Sequence, residues 1–252
     1  MRITLLGTGD AIGTPKVGCT CPQCTHAMVS GTARLRTSLL IENKGRHLLI
    51  DSSPDLRQQL LRAGSPHIDA VIWTHGHYDH FMGFGEFYRV QHIPPVFAPS
   101  PVLHYCAGIF RFLTFDKGVI EPYEPFELFG MTITLFLVRH PPAFTCGILI
   151  ESEGFRVGYT SDTNIDIPPK SLDLLNNLDL LLLDALAPSN ITIHKHMNYL
   201  DACTLASRLK PKEFRCVHQS HLLPWGLPHL GTDGEIFEFP HQTVQVSGGE
   251  RH

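Results

Sequence analysis

Apolar and polar positions alternate or run together in "ITLLG", "TSLLIE" and "HLLID" near the start of the chain, and these runs are rich in leucine and β-branched residues. That pattern predicts strands. "SPDLRQQLLRAG" changes period and reads as a helix, with Ser53 as N-cap, Pro54 at its first position and Gly64 beyond its end. "DAVIWT" reads as a buried strand that runs directly into a cluster of histidines, and "GFGEFYRVQ" as a helix. Residues 92–130 mix prolines with a helix-like apolar face, a pattern that admits an inserted flap or lid. "MTITLFLVRH", "CGILIES" and "FRVGYTSD" predict three successive strands, the last two joined at Glu153-Gly154. "KSLDLLNNL" reads as a helix, "DLLLLDA" as a fully buried strand, "YLDACTLASRLK" as an amphipathic helix and "EFRCVHQSH" as a strand ending in histidines. No repeat or low-complexity linker divides residues 1–252, so the chain reads as one domain. Strands alternate with helices, but hairpins are mixed in, which points to a layered α/β domain instead of a simple doubly wound parallel sheet.

Composition narrows the class. Over 252 residues, 43% are hydrophobic and 17% charged, a globular balance with enough chain for a large core. The net charge of -4 leaves no global basic field to attract nucleic acid, so an anionic substrate must be met by local charges or metals. No apolar run reaches membrane-spanning length and no signal peptide is evident, so the cytoplasm is the expected setting. Of seven cysteines, Cys106, Cys146, Cys203 and Cys216 lie scattered in apolar surroundings, as buried thiols do. Cys19, Cys21 and Cys24 are clustered, and in a cytosolic chain such a cluster suggests a metal before a disulfide.

The candidate chemistry sits at strand ends. Asp51 ends "HLLID", His75 follows "VIWT", His140 ends "LFLVRH", Asp162 ends "VGYTSD", Asp184 ends "LLLLD" and His218 ends "FRCVH". Six strands delivering His or Asp at their C-terminal ends converge on one rim, where open α/β sheets place their sites. "THGHYDH" adds His77, Asp79 and His80, four polar titratable groups in six residues that have no packing use after a buried strand. Imidazole and carboxylate suit divalent ions such as zinc and manganese. The seven candidates His75, His77, Asp79, His80, His140, Asp162 and His218 are too many for one tetrahedral ion and match two ions that share a carboxylate. His26, His47 and His229 stand alone and receive no role.

On His-x-His-x-Asp-His and the later His140, Asp162 and His218, the sequence resembles the metallo-β-lactamase superfamily over nearly its whole length. The resemblance implies an αββα sandwich of the metallo-β-lactamase fold, with Asp51 behind the ligands. It implies one ion on His75, His77 and His140, another on Asp79, His80 and His218, and Asp162 between them. Within the superfamily, "LLGTGDAIGTPKVGCTCPQC", the "SPDLRQQLL" that follows Asp51, and "HMNYLDACTLA" resemble PhnP-type phosphodiesterases. That resemblance implies a structural zinc on Cys19, Cys21, Cys24 and a histidine three residues after the last active-site histidine, which is His221 here.

The function implied is metal-dependent hydrolysis of small phosphodiesters, cyclic ones such as phosphoribosyl 1,2-cyclic phosphate included, by hydroxide attack. His196 is the candidate general acid, and Asp184 reads either as its orienting partner or as a buried carboxylate bonded to backbone; His194 is left unassigned. Asp79 stands both as a ligand and as a catalytic carboxylate. Two divalent ions (zinc or manganese) and one structural zinc are the expected cofactors. The expected partner is a small-molecule phosphodiester, without long nucleic acid or membrane, and a homodimer stays open. The rival readings are a tRNA 3′-processing nuclease of the RNase Z kind and a non-catalytic PqqB-like metal protein of cofactor biosynthesis. Residues 92–130 offer Arg111 and Lys117 against Asp116, Glu121, Glu124 and Glu127, with an apolar "IFRFLTF", which disfavours long RNA. Phe110, Phe112 and Phe115 are read either as a water-excluding cover above the metals or as ordinary core.

Overall fold

The computed structural model describes residues 1–240; of the unit expected over 1–252, residues 241–252 lie outside the described residues. Two sheets face each other. The first runs in the order β13 (Ile236–Glu238), β1 (Arg2–Gly7), β2 (Ser38–Asn43), β3 (Arg46–Ile50), β4 (Ala70–Ile72), β5 (Val96–Ala98) and β6 (Lys117–Val119). The second runs β12 (Glu213–Val217), β11 (Leu180–Asp184), β10 (Phe155–Tyr159), β9 (Cys146–Ser152), β8 (Met131–Leu137) and β7 (Phe126–Leu128). β3 to β6 are parallel, as are β10 to β12, while β1–β2–β3 and β7–β8–β9–β10 are antiparallel meanders.

The alternation of the sequence sorts residues between layers. Ile3, Leu5, Leu39, Ile41, Leu48, Ile50, Ala70 and Ile72 meet Ile133, Leu135, Ile148, Ile150, Leu180 and Leu182 in a core between the sheets. Their neighbours point the other way, because successive strand residues face opposite sides. Leu40, Leu49 and Val71 pack under α2 (Leu56–Arg62), α3 (Tyr78–Phe81), α4 (Phe87–Val90) and α5 (Ser100–Ile109). Phe136, Leu149, Leu181 and Leu183 pack under α6 (Pro169–Leu174) and α7 (Tyr199–Leu209). The result is the αββα sandwich of the metallo-β-lactamase fold.

Several expectations change in detail. Residues 92–130 are not an insert: β5 and β6 extend the first sheet and β7 edges the second. Phe110 and Phe115 are buried against Trp73 and Phe84 in the first outer layer, so they are core and not cover, whereas Phe112 is exposed. Ser53 does not cap α2 directly. Its hydroxyl accepts from Asp55 N and its carbonyl accepts from Leu56 N, forming a turn that places Asp55 at the helix start. "GFGEFYRVQ" divides into a 3₁₀ turn (Met82–Glu86) and α4, because Gly83 is pressed against the chain: a Cβ there would lie 1.8 Å from Ser53 O. The helix in "KSLDLLNNL" stops at Leu174, and the following turn carries Asn177 at φ 56°, a left-handed conformation asparagine tolerates. "YLDACTLASRLK" is a helix as expected, closed by a capping box between Asn198 and Asp201. α1 (Pro22–Ser30), which follows Cys21 and ends at Gly31 in the left-handed region, is an addition to the elements that the pattern predicts.

Candidate metal centre

The strand ends converge as expected. Asp51 follows β3 at φ 58°, Ser161 precedes Asp162 at φ 54°, and His218 follows β12 at φ 57°. Non-glycine residues rarely hold that conformation, and such strain concentrates where structure fixes a functional side chain.

Hydrogen bonds behind the cluster set its tautomers. Thr74 Oγ1 donates to Asp51 Oδ2 at 2.8 Å, so its lone pairs are left to accept from Ser161 Oγ at 3.0 Å and from His75 Nδ1 at 3.0 Å. His75 thereby carries its proton on Nδ1 and presents Nε2 as a free lone pair. His80 Nδ1 donates to Asp51 Oδ2 at 2.6 Å, and His140 Nδ1 donates to the Lys195 carbonyl at 3.0 Å. Both rings therefore also turn Nε2 inward, the arrangement by which outer partners orient metal-binding imidazoles.

Inside, Asp162 is the common neighbour. Its Oδ2 lies 3.6 Å from His75 Nε2, 3.6 Å from His140 Nε2 and 3.4 Å from His218 Nε2; its Oδ1 lies 3.3 Å from His80 Nε2. Asp79 Oδ2 lies 3.3 Å from both His80 Nε2 and His218 Nε2, and His77 Nδ1 lies 2.9 Å from His140 Nε2. Two groups result, His75–His77–His140–Asp162 and Asp79–His80–Asp162–His218, each with its donor atoms within 4.8 Å of one another. A third group joins Asp162 and His218 to Asp184 and His196.

The donor set fits divalent ions. Among the described residues, eight buried side-chain polar atoms lack a hydrogen-bond partner, and five of them are His75 Nε2, His80 Nε2, Asp162 Oδ1, Asp184 Oδ1 and His218 Nδ1. Buried polar atoms left unpaired are costly, and here they cluster around one point. Burial works against ionised Asp162, yet the imidazoles of His218, His80 and His75 outweigh it and hold the carboxyl well below its usual range. Burial likewise pulls His80 and His218 down, but Asp162 and its fellow carboxylates push His80 well up and His218 up to about 9. His75 and His140 go the other way, depressed chiefly by burial, His140 to about 4. Neutral imidazoles beside ionised carboxylates form a ligand field that a cation completes.

At the edge of the cluster, His196 Nδ1 lies 2.7 Å from Asp184 Oδ2, and its ring stacks on His218 at 5.0 Å and 11°. Asp184 also accepts from Thr163 N at 2.9 Å. The two readings of Asp184 thus hold together: it is bonded to backbone and to His196. His194 shows only its carbonyl, which accepts from Asn164.

The second cluster forms beside this rim. Cys19 Sγ and Cys21 Sγ lie 3.6 and 3.5 Å from His221 Nδ1, and buried Cys24 completes four donors within 4.8 Å. His221 is the largest cause that lowers the Cys21 thiol to about 6, whereas burial raises Cys24 to about 11. Arg34 links the two loops: its guanidinium donates to Ser220 O and Leu223 O at 2.8 Å and lies 4.0 Å over the Trp225 ring. Arg34, Thr74 and Ser161 are absent from the sequence-based candidates, since no spacing distinguishes them from ordinary strand and loop residues.

A family model described as the beta-lactamase superfamily domain matches residues 46–219, and the chain belongs to that superfamily, on its metallo-β-lactamase side. Among solved structures it is similar to a new diphosphatase from the PhnP family, with 30% identity, a TM-score of 0.84, and 95% of this chain and 98% of that chain covered. Zinc-bound PqqB from Methylobacterium extorquens shares the fold at 21% identity and a TM-score of 0.82, over 95% of this chain and 100% of that one. A curated relative from Porphyromonas gingivalis, an octanoyltransferase, is 30% identical over 251 residues, 91% of this chain and 48% of the relative. The chain thus spans about half the length of that relative, and 64% of a PqqB from Methylobacterium nodulans.

Proposed function

We propose that the chain is a metal-dependent phosphodiesterase that hydrolyses small phosphodiesters, phosphoribosyl 1,2-cyclic phosphate among the candidates. In this reading His75, His77 and His140 hold one divalent ion, Asp79, His80 and His218 hold a second, and Asp162 bridges them. Zinc or manganese suits this set of imidazoles and carboxylates. The ions, when bound, make a water acidic enough to attack near neutral pH and offset charge on the phosphoryl oxygens.

The observation that carries the proposal is the Asp184–His196 pair at 2.7 Å, set against a cluster already rich enough for two ions. A sugar alkoxide is a poor leaving group and needs a proton as its P–O bond breaks. With Nδ1 committed to Asp184, His196 offers Nε2 for that proton. A PqqB-like protein without catalysis has no evident use for this pair or for all seven ligands. Support also comes from the similarity to a diphosphatase of the PhnP family.

A structural zinc on Cys19, Cys21, Cys24 and His221 belongs to the same proposal, tying the N-terminal loop to the loop after His218. The cytoplasm is part of it too, because three clustered thiols remain available as ligands in a reducing compartment. No helix among the described residues is long and apolar enough to cross a membrane.

The test is turnover by metal-loaded protein of bis-p-nitrophenyl phosphate, 2′,3′-cyclic nucleotides, phosphoribosyl 1,2-cyclic phosphate and pre-tRNA. Hydrolysis of the small diesters with pre-tRNA untouched is expected. Efficient pre-tRNA cleavage with the small diesters untouched would replace this reading with the nuclease one.

A further inference from the structure

Beside the metal cluster lies a cavity of about 310 Å³, lined by Gly76, His77, Pro101, Tyr105, Pro142 and Phe144 among others. We propose that this cavity is a stacking slot for a planar heteroaromatic ring, so that the substrate carries a nucleobase on its phosphorylated sugar. The inference rests on the phosphodiesterase reading and names the substrate class of that site.

The cavity is continuous with the cluster, because His77 belongs both to the donor set and to the cavity wall. A group joined through a sugar to a phosphate at the cluster would enter here. The chemistry of the wall points the same way. No Lys, Arg, Asp or Glu lines the cavity, and its polar side chains are His77 and Tyr105 alone. A bare ribose brings hydroxyls that need partners, and this wall supplies few of them. A nucleobase brings flat faces, and α5 and the loop after His140 each offer an aromatic ring and a proline ring: Tyr105 with Pro101, Phe144 with Pro142.

The aromatic groups are held, not merely left outside. Tyr105 is 57% and Phe144 40% exposed, large rings standing at a cavity mouth. Tyr105 packs edge-on against Phe81 at 6.1 Å, and a Cβ on Gly76 would lie 2.6 Å from its Cδ1. A side chain at position 76 would displace the ring, so glycine between His75 and His77 lets the slot abut the metal loop. Rings stack on bases regardless of sequence, whereas an acyl chain has no need of flat faces.

The experiment measures binding of three monophosphates to metal-loaded protein by calorimetry: AMP, ribose 5-phosphate and octyl phosphate. AMP is expected to bind at least about tenfold more tightly than either of the others, a gain typical of one stacked base. Tyr105→Leu and Phe144→Ala should each reduce that advantage while leaving ribose 5-phosphate affinity unchanged. Both positions are exposed, and a circular dichroism melt confirms that each variant is folded. Equal affinity for AMP and ribose 5-phosphate, or octyl phosphate binding best, overturns the slot. Turnover of phosphodiesters is read separately. Protein that cleaves small diesters without preferring AMP loses the slot alone; protein that prefers AMP yet cleaves no diester loses the hydrolase reading and keeps the slot as a nucleotide site.

Discussion

Asp184 and His196 form a carboxylate–imidazole pair whose partners come from different parts of the second sheet's edge: Asp184 closes β11, and His196 precedes α7. The 2.7 Å contact orients a ring that is stacked on His218 and stands edge-on to His140 at 4.6 Å. The pair therefore joins the candidate general acid to the ligand cluster without drawing on either ion's main donors.

His196→Ala separates the acid from the metals. General acid catalysis is typically worth about 10²–10⁴-fold. The variant should lose that factor on a cyclic sugar phosphate and much less on bis-p-nitrophenyl phosphate, whose nitrophenolate leaves without a proton. Metal content by elemental analysis should be unchanged. Equal losses on both substrates would assign His196 a positioning role, and loss of an ion would make it a ligand.

The cysteine cluster should act on folding. Cys21→Ser removes one of four donors, so the variant should bind one zinc fewer and melt roughly 5–15 °C lower, while folded protein retains turnover. Differential scanning calorimetry with zinc analysis reads both. Unchanged melting with the full zinc complement would show that the cluster holds no structural ion.

Phe110→Ala distinguishes core from cover. Phe110 is 3% exposed and packs on Trp73, Phe81 and Phe84. Truncating a buried phenylalanine costs about 3–5 kcal/mol. Urea unfolding should show that loss, and KM for a small diester should stay near the wild-type value. A large KM change without loss of stability would restore the covering role.

Asp233 gives a pH signature away from the metals. Its carboxylate accepts from Thr8 N, Thr8 Oγ1 and Leu35 N, but burial outweighs these bonds and raises it from 3.8 to about 6. Between about pH 4 and 6 the folded chain holds a proton that the unfolded chain has released. Stability therefore falls as pH rises through that window and levels off above it, by at most about 3 kcal/mol from this group. Asp233→Asn should lack that component, seen as a pH-dependent difference between the two proteins in urea midpoints. Parallel profiles would contradict the shift.

Much of the site is legible in the sequence because ligands need residue types that packing does not. His75, His77, Asp79 and His80 follow a strand whose alternation assigns its faces, and Asp162 and His218 follow others, so strand periodicity alone brings them to one rim. The partners behind them are not legible. Thr74 and Ser161 matter through hydroxyl directions, and Arg34 through loop carbonyls 186 to 190 residues away, which no local pattern encodes. Residues 92–130 mislead for a related reason. β5, β6 and β7 are three residues each, too short for a period to show, and Phe110 and Phe115 find their partners only once Trp73 is in place.

Two ions sharing Asp162 are the centre of the proposed chemistry, and ion-dependent turnover tests them most directly. Chelator-stripped protein is titrated with zinc or manganese while bound ions and hydrolysis of bis-p-nitrophenyl phosphate are recorded together. The expected result is no turnover at about one ion per chain, a rise to a plateau near three, and an inactive Asp162→Ala variant that still fills the cysteine site. Protein that binds about three ions and cleaves no phosphodiester, or that keeps full activity without the Asp162 carboxylate, would contradict it.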